Sequence, residues 1–113
     1  MRRDGQRLHD VLDAIAAIER HTTGGRSAFD ADELVQVWCL KHVEIVGEAL
    51  GRLSDGFKRD HPELPWREAS AMRNQLAHGY FQVDWSQVWN VVERDLPVLK
   101  QVAVRLLTEM GEG

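Results

Sequence analysis

The sequence holds a single cysteine, Cys39, so it cannot close an internal disulfide and must rest on a packed core. Cys39 sits in an apolar segment without a basic or histidine neighbour at a suitable position, which reads as a buried structural thiol. No apolar run approaches the roughly 20 residues that span a bilayer. The basic start, Met1-Arg2-Arg3-Asp4, leads into a polar stretch rather than an apolar signal core. A cytoplasmic protein without membrane contact is expected. Strand signals are nearly absent, with no sustained alternation and no Asn-Gly or Asp-Gly turn between β-branched runs. There is no internal repeat and no low-complexity tract. Basic excess is missing too: 14 Lys and Arg face 18 Asp and Glu, a net charge of -4, which weighs against dedicated duplex-DNA binding. An enzyme that touches a few phosphates stays possible, because 11 of the 14 basic residues are arginine, whose planar fork suits phosphate.

What is present is helical spacing. The 113 residues are 43% hydrophobic and 28% charged, as expected of one globular domain over residues 1–113. Leu8, Val11, Leu12, Ile15 and Ile18 form one apolar stripe, predicting a first helix from about Asp4 to His21 that Thr22-Thr23-Gly24-Gly25 ends. A long second helix is predicted from near Asp30 to about Lys58, with Asp30 and Glu33 as a capping box. It carries two stripes. One is Val35, Trp38, Ile45 and Ala49. The other is Leu40, Val43, Val46, Leu50 and Leu53, with Gly47 beside them. A helix apolar on two sides needs cover on two sides, by the bundle and by a second copy, or by the bundle alone. Asp60 to Pro65 reads as a loop, and Pro65 as the opening of a third helix over about Trp66 to Ala77, which Gly79 stops. Asp84 should cap a fourth helix bearing Trp85, Val88, Trp89 and Val92. Asp95-Leu96-Pro97 should kink or split it before an end near Met110. The expected fold is all-α, a bundle of four to five helices.

Chemistry concentrates in Met72-Arg73-Asn74-Gln75-Leu76-Ala77-His78-Gly79-Tyr80-Phe81. Asn74 and His78 are one helical turn apart and share a face. Arg73 and His78 are separated by about 140° on a regular helix. They converge if the helix loosens at Gly79, or if two copies face each other so that Arg73 of one serves His78 of the other. The set suits RNA cleavage, where the 2′-hydroxyl is the nucleophile. His78 titrates near neutrality and can take that proton. Arg73 can hold the phosphate as charge builds. Two symmetric His78 residues would supply base and acid without a metal, leaving a 2′,3′-cyclic phosphate. The bland reading is a surface and capping cluster, since the dipole alone favours histidine at a helix C-terminus.

The spacing Arg73-x4-His78-x-Tyr80 matches the Arg-x4-His-x-Tyr motif of the HEPN superfamily. More narrowly, the chain resembles the HepT toxins. Glu44 to Ala49, Leu64-Pro65-Trp66, His78 to Asp84 and Trp89 to Pro97 share the likeness, which covers about residues 34 to 100. The resemblance implies an all-α homodimer of HEPN type with the motif at the interface. It implies a metal-independent endoribonuclease toxin without cofactor. Arg73 and His78 would be catalytic, with Asn74 in support; apart from the resemblance, Glu48 on the second helix is read as a supporting residue. It implies a cognate antitoxin, a minimal nucleotidyltransferase of the MntA type, that transfers AMP from ATP to Tyr80. AMP there would add bulk and negative charge where an RNA phosphate must bind.

His9, His21, His42 and His61 show no metal-ligand spacing, and Glu44 with Glu48 lacks an accompanying Glu-x-x-His element. These histidines read as packed or surface residues. The four tryptophans read as core and interface. Arg52, Lys58, Arg59 and Arg67 surround the loop before the third helix, and a solvated face is their default reading. Two rivals remain: a non-catalytic module that binds a nucleotide or protein and acts with a nucleotidyltransferase, and a structural helical dimer without activity.

Overall fold

The computed structural model of the chain describes residues 3–65 and 82–111. The third helix expected over Trp66 to Ala77, its stop at Gly79, and Arg67 lie outside the described residues. Helix α1 spans Asp4–Arg20 and buries Leu8, Val11, Ile15 and Ile18 of the predicted stripe together with Ala14 and Ala17, while Leu12 is half-buried. The Arg3 backbone N–H donates to the Gln6 side chain at 3.1 Å, satisfying one donor at the helix start. At the far end Thr22 Oγ1 donates to the Ile18 carbonyl at 3.0 Å.

Gly25 follows with φ 75°, a left-handed conformation that glycine adopts at no steric cost. It opens α2, Gly25–Ala31, a short helix that apolar spacing does not announce because only Phe29 is buried. Phe29 packs against Trp89 at 5.1 Å between ring centroids and meets Trp85 edge-on at 6.5 Å. The next helix, α3, spans Glu33–Gly51 and is capped by Asp32, not Asp30. The Asp32 carboxylate accepts from the backbone N–H of Leu34 at 2.9 Å and of Val35 at 3.3 Å. Asp30 belongs to α2, where it pairs with Arg26 at 3.3 Å. The cap therefore lies two residues beyond the expected one, and it is a lone cap rather than a box, since the third helical residue is Val35.

One helix reaching Lys58 does not form. The chain turns after Gly51, and α4 begins separately at Asp55–Asp60. Two side chains explain the break. Ser54 Oγ accepts from the Phe57 N–H at 3.2 Å and caps α4. The Asp4 carboxylate accepts the Ser54 N–H and O–H, each at 2.8 Å, pinning the turn to the start of α1. Lys58 Nζ donates to the Gly51 carbonyl at 2.7 Å, filling an acceptor that the end of α3 leaves open.

Asp84 caps α5, Trp85–Asn90, by accepting from the Gln87 N–H at 3.2 Å, as expected. The interruption at Pro97 is a π-helical stretch, Val91–Asp95, in which the Leu96 N–H reaches back five residues to the Val91 carbonyl. Proline lacks an N–H and its ring crowds the carbonyl four residues earlier; the wider turn relieves both. Helix α6, Leu96–Glu109, then buries Leu96, Leu99, Ala103, Leu106 and Leu107. The fold is an all-α bundle in which α1 packs against both α3 and α6. Its core joins α1, α3, α5 and α6, with Leu64 and Phe29 closing its edges. Among the described residues, no polar or charged residue is buried.

Candidate functional site

Arg73, Asn74, His78 and Tyr80 lie outside the described residues. The structure does define the points between which their segment runs. On the near side, Leu64 is buried in the core and its N–H donates to the His61 carbonyl at 3.2 Å. Glu63 accepts from Arg105 of α6 at 2.7 Å and lies 3.7 Å from His61 Nδ1. A backbone hydrogen bond at Glu63, aided by the charges of His61 and Arg105, holds its carboxyl below the ordinary value against a desolvation penalty. His61 also stacks on Phe57 at 4.4 Å. On the far side, Val83 packs against the core, and Asp84 and Trp85 start α5. Both flanks of residues 66–81 are thus tied to the bundle.

Glu48 is the expected site residue that the structure describes. It sits on α3, and its carboxylate accepts from Arg52 Nη2 one turn further on at 2.8 Å. Glu44, one turn earlier, lies 3.9 Å from Lys41 Nζ. Each carboxylate therefore pairs with a cation of its own helix. The motif residues that Glu48 is expected to support lie outside the described ones.

Glu48 and Arg52 line an open groove of about 580 Å³ between α1 and α3. Its floor is apolar and small-sided, built from Ala14, Ala17, Ile45 and Ala49. Arg7, Asp10, Asp13 and His42 complete the rim. Among the described residues, Arg7 Nε is the one buried side-chain nitrogen or oxygen without a hydrogen-bond partner. Further along the two helices stands Trp38, whose indole N–H donates to the Ala17 carbonyl at 2.9 Å. His21 meets it edge-on at 4.9 Å and His42 lies against it at 4.3 Å. His21, His42 and His61 thus act as packing partners of aromatic rings.

Sequence reasoning found this side of α3 as the stripe Val35, Trp38, Ile45 and Ala49, of which Ile45 and Ala49 line the groove, but did not foresee the groove itself. Cys39, also on α3, is fully buried, and burial pushes its thiol up to about 11. No helix among the described residues is long and apolar enough to cross a membrane.

The family described as Ribonuclease HepT-like matches residues 11–106, which is most of the chain. A protein of Thermococcus cleftensis named "Probable ribonuclease HepT" is 42% identical over 94 residues, covering 82% of this chain and 86% of the relative. A Methanocaldococcus jannaschii protein, named as a gamma-glutamylcyclotransferase and provisionally as an RNase, is 32% identical over 107 residues. That match covers 94% of this chain but 48% of the longer relative. A second protein of the same organism, provisionally named an RNase, is 28% identical over 83% of this chain and 87% of its own length. No solved structure matches the chain.

Proposed function

The chain belongs to the HepT-like ribonuclease family, and on that premise we propose that it is a toxin that cuts RNA without a metal. The observation that carries this reading is Arg73-x4-His78-x-Tyr80, intact and inside the matched residues 11–106. In the proposed reaction His78 takes the proton of an RNA 2′-hydroxyl. The freed oxygen attacks the adjacent phosphorus and the bond to the 5′-oxygen breaks. That oxygen leaves with a proton from an imidazolium, the role open to His78 of a second copy. The products are a 2′,3′-cyclic phosphate and a 5′-hydroxyl. Arg73 holds the phosphate oxygens while their charge builds. Asn74 orients the imidazole or the phosphate, and Glu48 supports the site from α3.

The working unit is a homodimer in the cytoplasm, silenced by a cognate nucleotidyltransferase of the MntA type. That partner transfers AMP from ATP to the Tyr80 oxygen, with pyrophosphate leaving. The added phosphate carries negative charge and offers Arg73 a competing partner.

The test is RNA cleavage by purified protein shown by mass to carry no AMP, with EDTA present, beside the His78→Ala variant. Cleavage by the parent alone, with cyclic-phosphate ends, is the expected result. No cleavage by either would replace this reading with the binding module, which the net charge of -4 suits better than it suits an RNase.

A further inference from the structure

We propose that the groove between α1 and α3 is a ribonucleotide subsite, which holds one nucleotide of an unpaired RNA strand beside the reaction centre. This deepens the RNase reading above and rests on it.

Two contacts fix how the groove is laid out. At one end the Asp4 carboxylate binds Ser54, just past α3; further along, the Trp38 indole N–H binds the Ala17 carbonyl. The two helices therefore run antiparallel. Arg7 of α1 and Arg52 of α3 stand at the first end. Ala17 and His42 stand at the other, beside Trp38. Asp10, Asp13 and Glu48 lie between the two ends. From Arg7 to Ala17 the groove runs about 15 Å, at roughly 1.5 Å per helical residue.

A ribonucleotide has three parts in the same order: phosphate, ribose, base. Its phosphate suits the two guanidinium forks. Arg7 is half-buried, and its Nε finds no acceptor. An unmet donor is costly, and turning the fork to a phosphate would satisfy it. Arg52 gives Glu48 a hydrogen bond from Nη2, which leaves further N–H donors of its guanidinium for a ligand. The ribose hydroxyl suits a carboxylate, which can only accept. The flat base suits a floor of small side chains that ends at aromatic rings, and Trp38 is 36% exposed there. The volume of about 580 Å³ is that of a small-ligand site. With three carboxylates against two arginines, the lining is mismatched to an acidic peptide and to a strongly basic one. It suits a chain whose charges come at intervals with hydroxyls between them. DNA lacks that hydroxyl, so Asp13 favours RNA. A free 5′-nucleotide carries the same groups, and the experiment separates it from a strand. Glu48, proposed above to support the reaction from α3, lines the same groove, so a strand seated here would pass beside the motif.

The experiment is binding by the full chain carrying His78→Ala, so that RNA stays intact. The probes are a short oligoadenylate RNA, the same sequence as DNA, and 5′-AMP. Calorimetry across a salt series reads affinity, tryptophan emission is followed beside it, and cleavage by the parent is scored separately. The RNA should bind more tightly than the DNA and quench the emission. Arg7→Ala and Arg52→Ala should each weaken RNA binding about fivefold or more and lower its salt slope by about 0.7. Arg52 is exposed, so its variant tests the phosphate end without touching the core. Trp38→Phe should remove most of the quench. Asp13→Ala should narrow the gap between RNA and DNA by about fivefold. Lys100→Ala, an exposed cation outside the groove, should leave binding unchanged. RNA binding that ignores Arg7, Arg52 and Trp38 overturns the subsite and leaves the RNase reading standing. Binding that depends on them, with no cleavage by the parent, overturns the RNase reading and keeps the ribonucleotide site. Arginine-dependent binding of 5′-AMP without RNA replaces the strand with a free nucleotide. Binding of no probe overturns the subsite outright.

Discussion

Asp32 decides where α3 begins, because its carboxylate is the one that closes on the free N–H groups of Leu34 and Val35. Asp32→Ala should lower stability by about 1 kcal/mol in urea unfolding. Asp30→Ala removes only an exposed ion pair with Arg26 and should cost about 0.5 kcal/mol or less. Sequence alone put the cap at Asp30. Both aspartates precede the same apolar run, and only the short helix around Phe29 tells them apart. Glu63 gives a pH signature. Its carboxyl is held below the ordinary value, so its contribution is complete above that value and is lost as pH falls through the lowered one. Glu63→Gln should flatten the acid limb of stability against pH, measured by thermal unfolding at a series of pH values.

Among the elements, apolar spacing made α1 legible, and Asp84 and Pro97 announced α5, the interruption that follows it and a further helical stretch ending near Met110. The break after Gly51 was not legible. The apolar pattern runs on through Leu53 and Phe57, while the backbone obeys a contact between Asp4 and Ser54, fifty residues apart in sequence. No local reading can see such a partner. Asp4→Ala removes both acceptors of the Ser54 turn and should cost about 1–3 kcal/mol, a loss that chemical denaturation can read. Asp4→Asn should cost less, since its amide retains one acceptor. The π-helical stretch offers a different test. In Pro97→Ala the clash with the preceding turn vanishes and an amide appears at position 97. Hydrogen exchange should show that amide protected, as the turn tightens toward α-helical pairing.

At the scale of the whole molecule, spacing and composition predicted the all-α bundle. The chemistry proposed for Arg73 and His78 draws its strength from the likeness to HepT toxins rather than from the residues alone. The groove between α1 and α3 stayed hidden because its floor is mostly alanine, which marks neither a core nor a site. His78→Ala and Arg73→Ala should each abolish growth inhibition while leaving the unfolding transition intact. Loss of the base should slow cleavage by about a hundred- to ten-thousand-fold. Tyr80→Phe should remain toxic beside the transferase and gain no AMP by mass spectrometry. Toxicity that survives loss of both His78 and Arg73 would refute the catalytic assignment. Cys39, alone of its kind and without exposed surface, has a separate consequence. A thiol reagent can reach its sulfur only during excursions in which the bundle parts around α3. When reclosing outruns labelling, the labelling rate counts how often such excursions occur. The chain therefore carries its own breathing clock, one that needs no added probe and can be read before and after a partner binds.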